Sequence, residues 1–116
     1  MKSLIVTGGA SGLGRAIARS ASEKGYRVGA LDMDGDALEK TASELDNVVP
    51  LEASVTCIEE IYDAVSEFGE TPDVWVNNAG IVIFAQFLEL SIDYWKAVVD
   101  VNLSGTFICS NVAASA

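Results

Sequence analysis

Short apolar runs alternate along the chain with longer runs of helical periodicity. Four of the short runs have the length of buried strands: Ser3–Val6, Arg27–Leu31, Val48–Leu51 and Asp73–Asn77. After each one, apolar residues recur every three or four positions, which is typical of one face of a helix. Because this order repeats with short connections, it predicts a single α/β domain over 1–116, with a parallel sheet and helices on both sides. Pro50 predicts that the third strand lies at an edge of the sheet.

Each predicted helix has an apolar face that should point towards the sheet. The faces are Leu13, Ala16, Ile17, Ser20 and Ala21 in the first helix, Leu38, Ala42 and Leu45 in the second, Ile58, Ile61, Val65 and Phe68 in the third, and Trp95, Val98, Val99, Leu103 and Thr106 in the fourth. Gly25 and Gly69 are predicted to end the first and third helices. Thr56 and Glu59 have the spacing of a capping box at the start of the third helix.

The segment Ile81–Leu88 is unusually apolar for a connection between two elements. One interpretation is that it packs as core beneath the fourth helix, which Ser91 or Asp93 is predicted to start. The other is that it lines a substrate pocket or forms an oligomer interface. The sequence leaves both interpretations open.

Composition narrows the classes of function. Half of the 116 residues are hydrophobic, the formal net charge is −10, and there is no histidine. Nucleic acid is therefore not an expected partner, because binding it needs clustered Lys and Arg. Cys57 and Cys109 match no metal-ligand spacing, so we expect two reduced core residues and no metal site. We recognise no signal peptide and no segment of membrane-spanning length, which makes the cytoplasm the expected location.

The stretch Thr7–Ala18, TGGASGLGRAIA, places three glycines between the first strand and the first helix. Gly8, Gly12 and Gly14 have the spacing G-x-x-x-G-x-G, which suggests that a bulky group approaches the backbone closely. A dinucleotide pyrophosphate is such a group, since it binds the free N–H groups at the start of a helix, here near Leu13. A glycine-tolerant turn without a ligand is the alternative.

Asp32 ends the second strand eighteen residues after Gly14, about where a carboxylate contacts the ribose hydroxyls of a bound dinucleotide. A carboxylate accepts hydrogen bonds from these hydroxyls but repels a 2′-phosphate, which needs a nearby Arg or Lys. Met33 follows, the glycine turn offers only Ser11, and Arg15 is not expected to reach. The sequence therefore favours NAD over NADP, and NADH over NADPH.

Together, these motifs resemble those of the short-chain dehydrogenase/reductase family. They are Thr7-Gly8-x-x-x-Gly12-x-Gly14, Asp32, Asn77-Asn78-Ala79-Gly80 and Asn102, in that order. The resemblance spans essentially the whole chain but corresponds to the first half of a usual member. It implies a Rossmann-like, doubly wound parallel sheet of about four strands in the order 3-2-1-4, and an oxidoreductase that transfers hydride to or from NAD. The implied cofactor-binding residues are Thr7, Gly8, Ser11, Gly12, Leu13, Gly14, Asp32, Met33, Ser54, Val55, Asn78, Ala79 and Gly80.

The resemblance implies a catalytic role for one residue, Asn102. It corresponds to the helix asparagine that supports a water-linked proton relay in the family. Its spacing from Trp95 and Val98 places it on the inward face, where helix packing is the alternative role. Ser54 stands where the family often has aspartate, which implies weaker binding of adenine. The family's Tyr-x-x-x-Lys motif and its preceding serine are absent: Tyr26, Tyr62 and Tyr94 are followed four residues later by Ala30, Ser66 and Val98.

Three functions remain open. The chain is the cofactor half of a dehydrogenase, a stand-alone NAD-binding module, or a diaphorase-like protein that passes hydride to a dye or quinone. Ordinary ketone or alcohol turnover is not expected of this chain alone, because the proton donor is missing. In a four-stranded sheet, Val74–Val76 is an exposed apolar edge. We therefore expect a homo-oligomer formed through this edge or through the Phe84–Leu88 surface.

Overall fold

The computed structural model describes all residues, 1–116, as alternating strands and helices. The strands are β1 (Ser3–Thr7), β2 (Arg27–Asp32), β3 (Val48–Glu52) and β4 (Val74–Val76). The helices are α1 (Gly12–Glu23), α2 (Gly35–Glu44), α3 (Ile58–Phe68), α4 (Ile92–Val99) and α5 (Gly105–Ser115), with a 3₁₀ turn at Phe87–Glu89 and a π-helical turn at Asp100–Ser104. The predicted succession of strand and helix is confirmed.

All four strands are parallel and lie in the order β3-β2-β1-β4. This confirms the predicted α/β fold and its 3-2-1-4 order. Leu4 pairs with Val28 on one side and with Val74 on the other, so β1 is central. Pro50 lies in an edge strand, opposite Ala30, as expected for a residue that lacks a backbone donor. The outer edge of β4 has no neighbouring strand.

Alternate residues of the strands form apolar cores on the two faces of the sheet. Ile5 and Phe68 belong to a core that α3 and α5 cover, whereas Val6 packs with Ala18 of α1 on the opposite face. Cys109 is fully buried in the first of these cores, and desolvation raises the pKa of its thiol to about 11. Cys57 is only half-buried, because it immediately precedes α3, so the expectation of two core cysteines is wrong for this residue.

The inward face of α1 differs from the predicted one by about one residue. The buried residues are Gly14, Ala18 and Ala21, whereas Leu13 is 69% exposed. Ser20 is also exposed. The face with the smallest side chains lies against the sheet because it permits the closest approach of helix and strand. Apolar spacing alone therefore gave the wrong rotation of this helix.

The capping box predicted for α3 is also wrong. The helix begins at Ile58, and the hydroxyl of Thr56 pairs with that of Ser54 at 2.7 Å instead of capping a helix amide. The carboxylate of Glu60 accepts a hydrogen bond from the Ser54 amide at 3.0 Å. At the other end, Gly69 ends the helix with φ 86°, as predicted.

From residue 92 to 115, α4, the π-helical turn and α5 form one continuous helix. Ser91 starts it, and its hydroxyl accepts a hydrogen bond from the Tyr94 amide, which confirms one of the two predicted start residues. The predicted inward face is wrong: Trp95 and Leu103 are mostly exposed, and no residue of α4 is buried. The buried residues of this helix are Gly105, Cys109 and Val112 of α5.

The helix Ile92–Ser115 has 24 residues and is long and apolar enough to cross a membrane. The expectation that no segment reaches membrane-spanning length is therefore wrong. Core helices of soluble proteins meet the same criterion of length and composition. The criterion alone does not assign this helix to a membrane.

The segment Ile81–Leu88 does not pack as core beneath the last helix. Phe84 is 92% exposed, Leu88 is 93% exposed, and Phe87 is nearly as accessible. We refer to Phe84, Phe87 and Leu88 as the apolar loop surface. The core interpretation of this segment is wrong, because no other element of 1–116 covers these side chains.

Candidate functional site

A cavity of about 440 Å³ lies at the carboxyl ends of the strands, where ligands of open α/β sheets bind. Eight of the predicted cofactor-binding residues line it: Gly8, Ser11, Asp32, Met33, Val55, Asn78, Ala79 and Gly80. Four further lining residues were not predicted: Leu31, Ala53, Ile81 and Val101. These four are apolar and carry no motif. Only the rule that strand ends form such sites could have indicated Leu31 and Ala53.

Two of the three motif glycines are required by the packing of the chain itself. A Cβ on Gly14 would lie 2.0 Å from the carbonyl oxygen of Gly8, so α1 could not approach the turn. Gly8 has φ 66°, and its Cβ would lie 2.9 Å from Nδ2 of Asn78. Gly12 has φ 55° but no atom within 4 Å of its Cβ position. Of the three motif glycines, only Gly12 has open space above its backbone.

The turn presents a row of free backbone donors at the start of α1. The amides of Ser11, Gly12, Leu13 and Gly14 make no hydrogen bond within the chain, and no side chain caps the helix. Free amides at a helix start form a partial positive charge that favours anions. Ser11 belongs to the cavity lining, whereas Gly12, Leu13 and Gly14 do not.

The carboxylate of Asp32 holds two segments beside the cavity. Its Oδ2 accepts a hydrogen bond from the Ala10 amide at 3.2 Å, and its Oδ1 accepts one from the Asp34 amide at 3.1 Å. An ionised carboxylate has about four lone-pair sites, so each oxygen can accept a further bond. Arg15 pairs instead with Glu44 of α2. Met33, which follows Asp32 in the sequence, is exposed and uncharged.

Thr7 joins the two turns that flank the cavity and does not itself line it. The residue is buried, and its hydroxyl accepts hydrogen bonds from the amides of Asn78 at 3.0 Å and Ala79 at 2.9 Å. The side-chain amide of Asn78 donates in return to the Thr7 carbonyl at 3.1 Å. The ends of β1 and β4 are therefore fixed relative to each other by side chains of the motifs.

Ser54 also lies outside the cavity lining. Its hydroxyl accepts a hydrogen bond from the Thr56 amide at 3.2 Å, in addition to its contact with the Thr56 hydroxyl. Its neighbour Val55 does line the cavity.

Asn102 is exposed rather than buried on an inward face, which corrects the prediction. It lies in the π-helical turn, where its Oδ1 accepts from the Ile81 amide at 2.8 Å and its Nδ2 donates to the Ile81 carbonyl at 2.9 Å. The Asn102 carboxamide is thereby paired with both the backbone N–H and the backbone C=O of Ile81. This pairing holds Ile81 in place, which directly follows Gly80 and also lines the cavity.

Solved structures that superpose on this chain include a reductase and a dehydrogenase/reductase. A 3-oxoacyl-(acyl-carrier protein) reductase with bound NAD from Brucella melitensis superposes with a TM-score of 0.93 at 32% identity, over 98% of this chain and 47% of that one. A short-chain type dehydrogenase/reductase from Mycobacterium marinum gives a TM-score of 0.94 at 28% identity, over 99% of this chain and 49% of that one.

Curated relatives agree with these structures. The chain is 35% identical to the probable 2,4-dienoyl-CoA reductase of Bacillus subtilis (strain 168), over 97% of this chain and 47% of the relative. It is 36% identical to the D-threitol dehydrogenase of Mycolicibacterium smegmatis, over 92% of this chain and 44% of the relative. The chain spans about half the length of these relatives. The family described as short chain dehydrogenase matches residues 2–116. With its Rossmann-like sheet, the chain belongs to the short-chain dehydrogenase family.

Proposed function

We propose that this chain binds a nicotinamide dinucleotide at the carboxyl ends of its strands, as the cofactor-binding part of an oxidoreductase. The observation that carries the proposal is the row of free amides at Ser11–Gly14, next to a cavity that also contains the Asp32 carboxylate. Family membership and the NAD-bound neighbour point the same way. The amides would hold the pyrophosphate, and the carboxylate would accept from the adenine-side ribose hydroxyls.

The charges around Asp32 favour NAD over NADP. A 2′-phosphate beside this carboxylate would be repelled, and no basic side chain lines the cavity. Arg15, the basic residue nearest the turn in sequence, is paired with Glu44. NADH is therefore the form that we propose to bind more tightly than NADPH.

The bound cofactor would supply or accept hydride. Ketone reduction also needs a proton donor, and residues 1–116 contain no Tyr-x-x-x-Lys motif. We therefore expect this polypeptide by itself to bind the cofactor without ordinary ketone or alcohol turnover. Asn102 is proposed to support the site through its hold on Ile81, in keeping with their paired hydrogen bonds.

Replacement of Asp32 tests the proposal most directly. In calorimetric titrations, we expect the wild type to prefer NADH to NADPH. Asp32→Ala should weaken NADH binding by about tenfold or more, since charge-assisted hydrogen bonds to two hydroxyls are lost. It should narrow or reverse the preference over NADPH, because the repulsion is removed. Asp36→Ala, which removes an exposed carboxylate from the first turn of α2, is the matched control. A wild type that binds neither cofactor would contradict the proposal.

We further propose that the chain forms a homo-oligomer through the apolar loop surface or the free edge of β4. The support is the exposure of three large apolar side chains in one short segment, together with a strand edge that lacks a partner. Phe84→Ser combined with Leu88→Ser should weaken self-association by about tenfold or more if the loop is the interface. Unchanged association in that variant would point to the strand edge.

Light scattering over a concentration series measures this association. Tyr62→Ser, which removes an exposed apolar side chain from α3, is the control for a general change in solubility. A wild type with the mass of one chain at all concentrations would contradict oligomerisation by either route.

A further inference from the structure

Thr41 is a buried polar residue in the middle of α2, and no sequence motif contains it. Its side chain is 1% exposed. The hydroxyl donates to the carbonyl of Ala10 in the glycine turn at 3.4 Å and makes no other hydrogen bond. A threonine within a helix commonly bonds instead to a carbonyl three or four residues earlier in its own helix. The hydroxyl of Thr41 therefore connects two separate strand–helix units.

Both backbone polar groups of Ala10 are bonded to side chains of the next strand and helix, β2 and α2. Its N–H donates to the Asp32 carboxylate, and its C=O accepts from Thr41. The peptide bond is planar and trans, so the carbonyl of Ala10 and the amide of Ser11 point in opposite directions within one rigid unit. A hydroxyl that fixes the carbonyl of Ala10 thereby fixes the amide of Ser11, the first of the four free amides.

We propose that Thr41 is a positioning residue for the cofactor pyrophosphate. Its hydroxyl orients the Ala10–Ser11 peptide so that the Ser11 amide faces the bound anion. Thr41 itself does not line the cavity, so it acts only through the turn. This inference rests on the proposed function. It differs from a packing role, which a valine of the same shape would fill equally well.

Thr41→Val, Thr41→Ser and the control Ser43→Ala separate these roles. Ser43 lies on the same helix, and its exposed hydroxyl donates to the Lys40 carbonyl within that helix rather than to the turn. We expect Thr41→Val to weaken NADH binding by about fivefold, as the loss of one hydrogen bond to the turn would do. Binding of adenosine, which has no phosphate, should change less than about twofold. Thr41→Ser should restore the affinity for NADH.

Hydrogen exchange on the cofactor-free protein provides a second measurement that does not depend on binding. In Thr41→Val, the hydrogen-bonded turn amides of Gly9 and Ala10 should exchange about fivefold faster than in the wild type, in Thr41→Ser or in Ser43→Ala. Unchanged exchange and unchanged NADH affinity would overturn the inference, as would an equal loss of adenosine and NADH affinity. If the wild type binds no NADH, the proposed function fails. The exchange rates then still decide whether Thr41 positions the turn.

Discussion

Gly14→Ala is expected to destabilise the protein by about 3 kcal/mol or more, at the upper end of overpacking effects. The new Cβ would lie 2.0 Å from the Gly8 carbonyl oxygen and 2.6 Å from Nδ2 of Asn78. Neither neighbour can move freely, because the side-chain amide of Asn78 is bonded both to the Thr7 carbonyl and to the Gly8 carbonyl. The start of α1 would have to move away from the turn. Urea denaturation followed by circular dichroism measures the loss.

Gly25→Ala is the matched control for this steric effect. Gly25 has φ 86° and no atom within 4 Å of its Cβ position. Alanine there meets only backbone strain, which costs about 1 kcal/mol. If the two variants lose the same stability, the close approach at Gly14 does not constrain the fold. Gly14→Ala should also lose NADH binding under conditions where it is still folded, because the free amides belong to the displaced turn.

The order of strands and helices could be predicted because each element carries its own periodicity. The position of β3 also followed from one residue, since Pro50 suits an edge strand. Apolar spacing shows which side of a helix could be buried, but not which neighbour will cover it. The predicted face of the last helix therefore included Trp95 and Leu103, which no other element covers. The same limit explains Phe84, which is apolar and yet exposed.

The polar part of the candidate site could be predicted better than its apolar part. Asp32 was predicted from its place at the end of a strand and Asn78 from the family resemblance, and both line the cavity. Val101 also lines it but has no chemical signature in the sequence. Thr7 was predicted beside the cofactor, whereas its hydroxyl faces the amides of Asn78 and Ala79. Hydrogen bonds between segments some seventy residues apart cannot be derived from local spacing.

The rotation of α1 shows the same difficulty at shorter range. Leu13 was assigned to the inward face by the spacing of apolar residues, yet Gly14 lies there. Small residues decide this contact because they allow the helix to approach the strand. Hydrophobicity, on which the prediction relied, does not rank glycine as an interior residue of a helix.

Thr7→Val should cost about 2–6 kcal/mol of stability, although valine has nearly the same shape as threonine. Two partly buried amides, those of Asn78 and Ala79, would lose their acceptor, and each such loss costs about 1–3 kcal/mol. Of the bonds between β1 and the turn after β4, only those of the Asn78 side chain would then remain. Because Asn78 and Gly80 line the cavity, NADH affinity should also fall. Urea denaturation and calorimetric titration measure the two effects.

Thr7→Ser separates the hydroxyl from the methyl group. Serine keeps the acceptor and removes one buried methyl group, which costs about 1 kcal/mol. The hydroxyl is therefore important if Thr7→Val is clearly less stable than Thr7→Ser. The opposite order would mean that β1 needs the branched side chain for packing, and that the amides of Asn78 and Ala79 find other acceptors. In that case the two turns would not depend on Thr7 for their relative position, and NADH affinity would be unchanged in both variants.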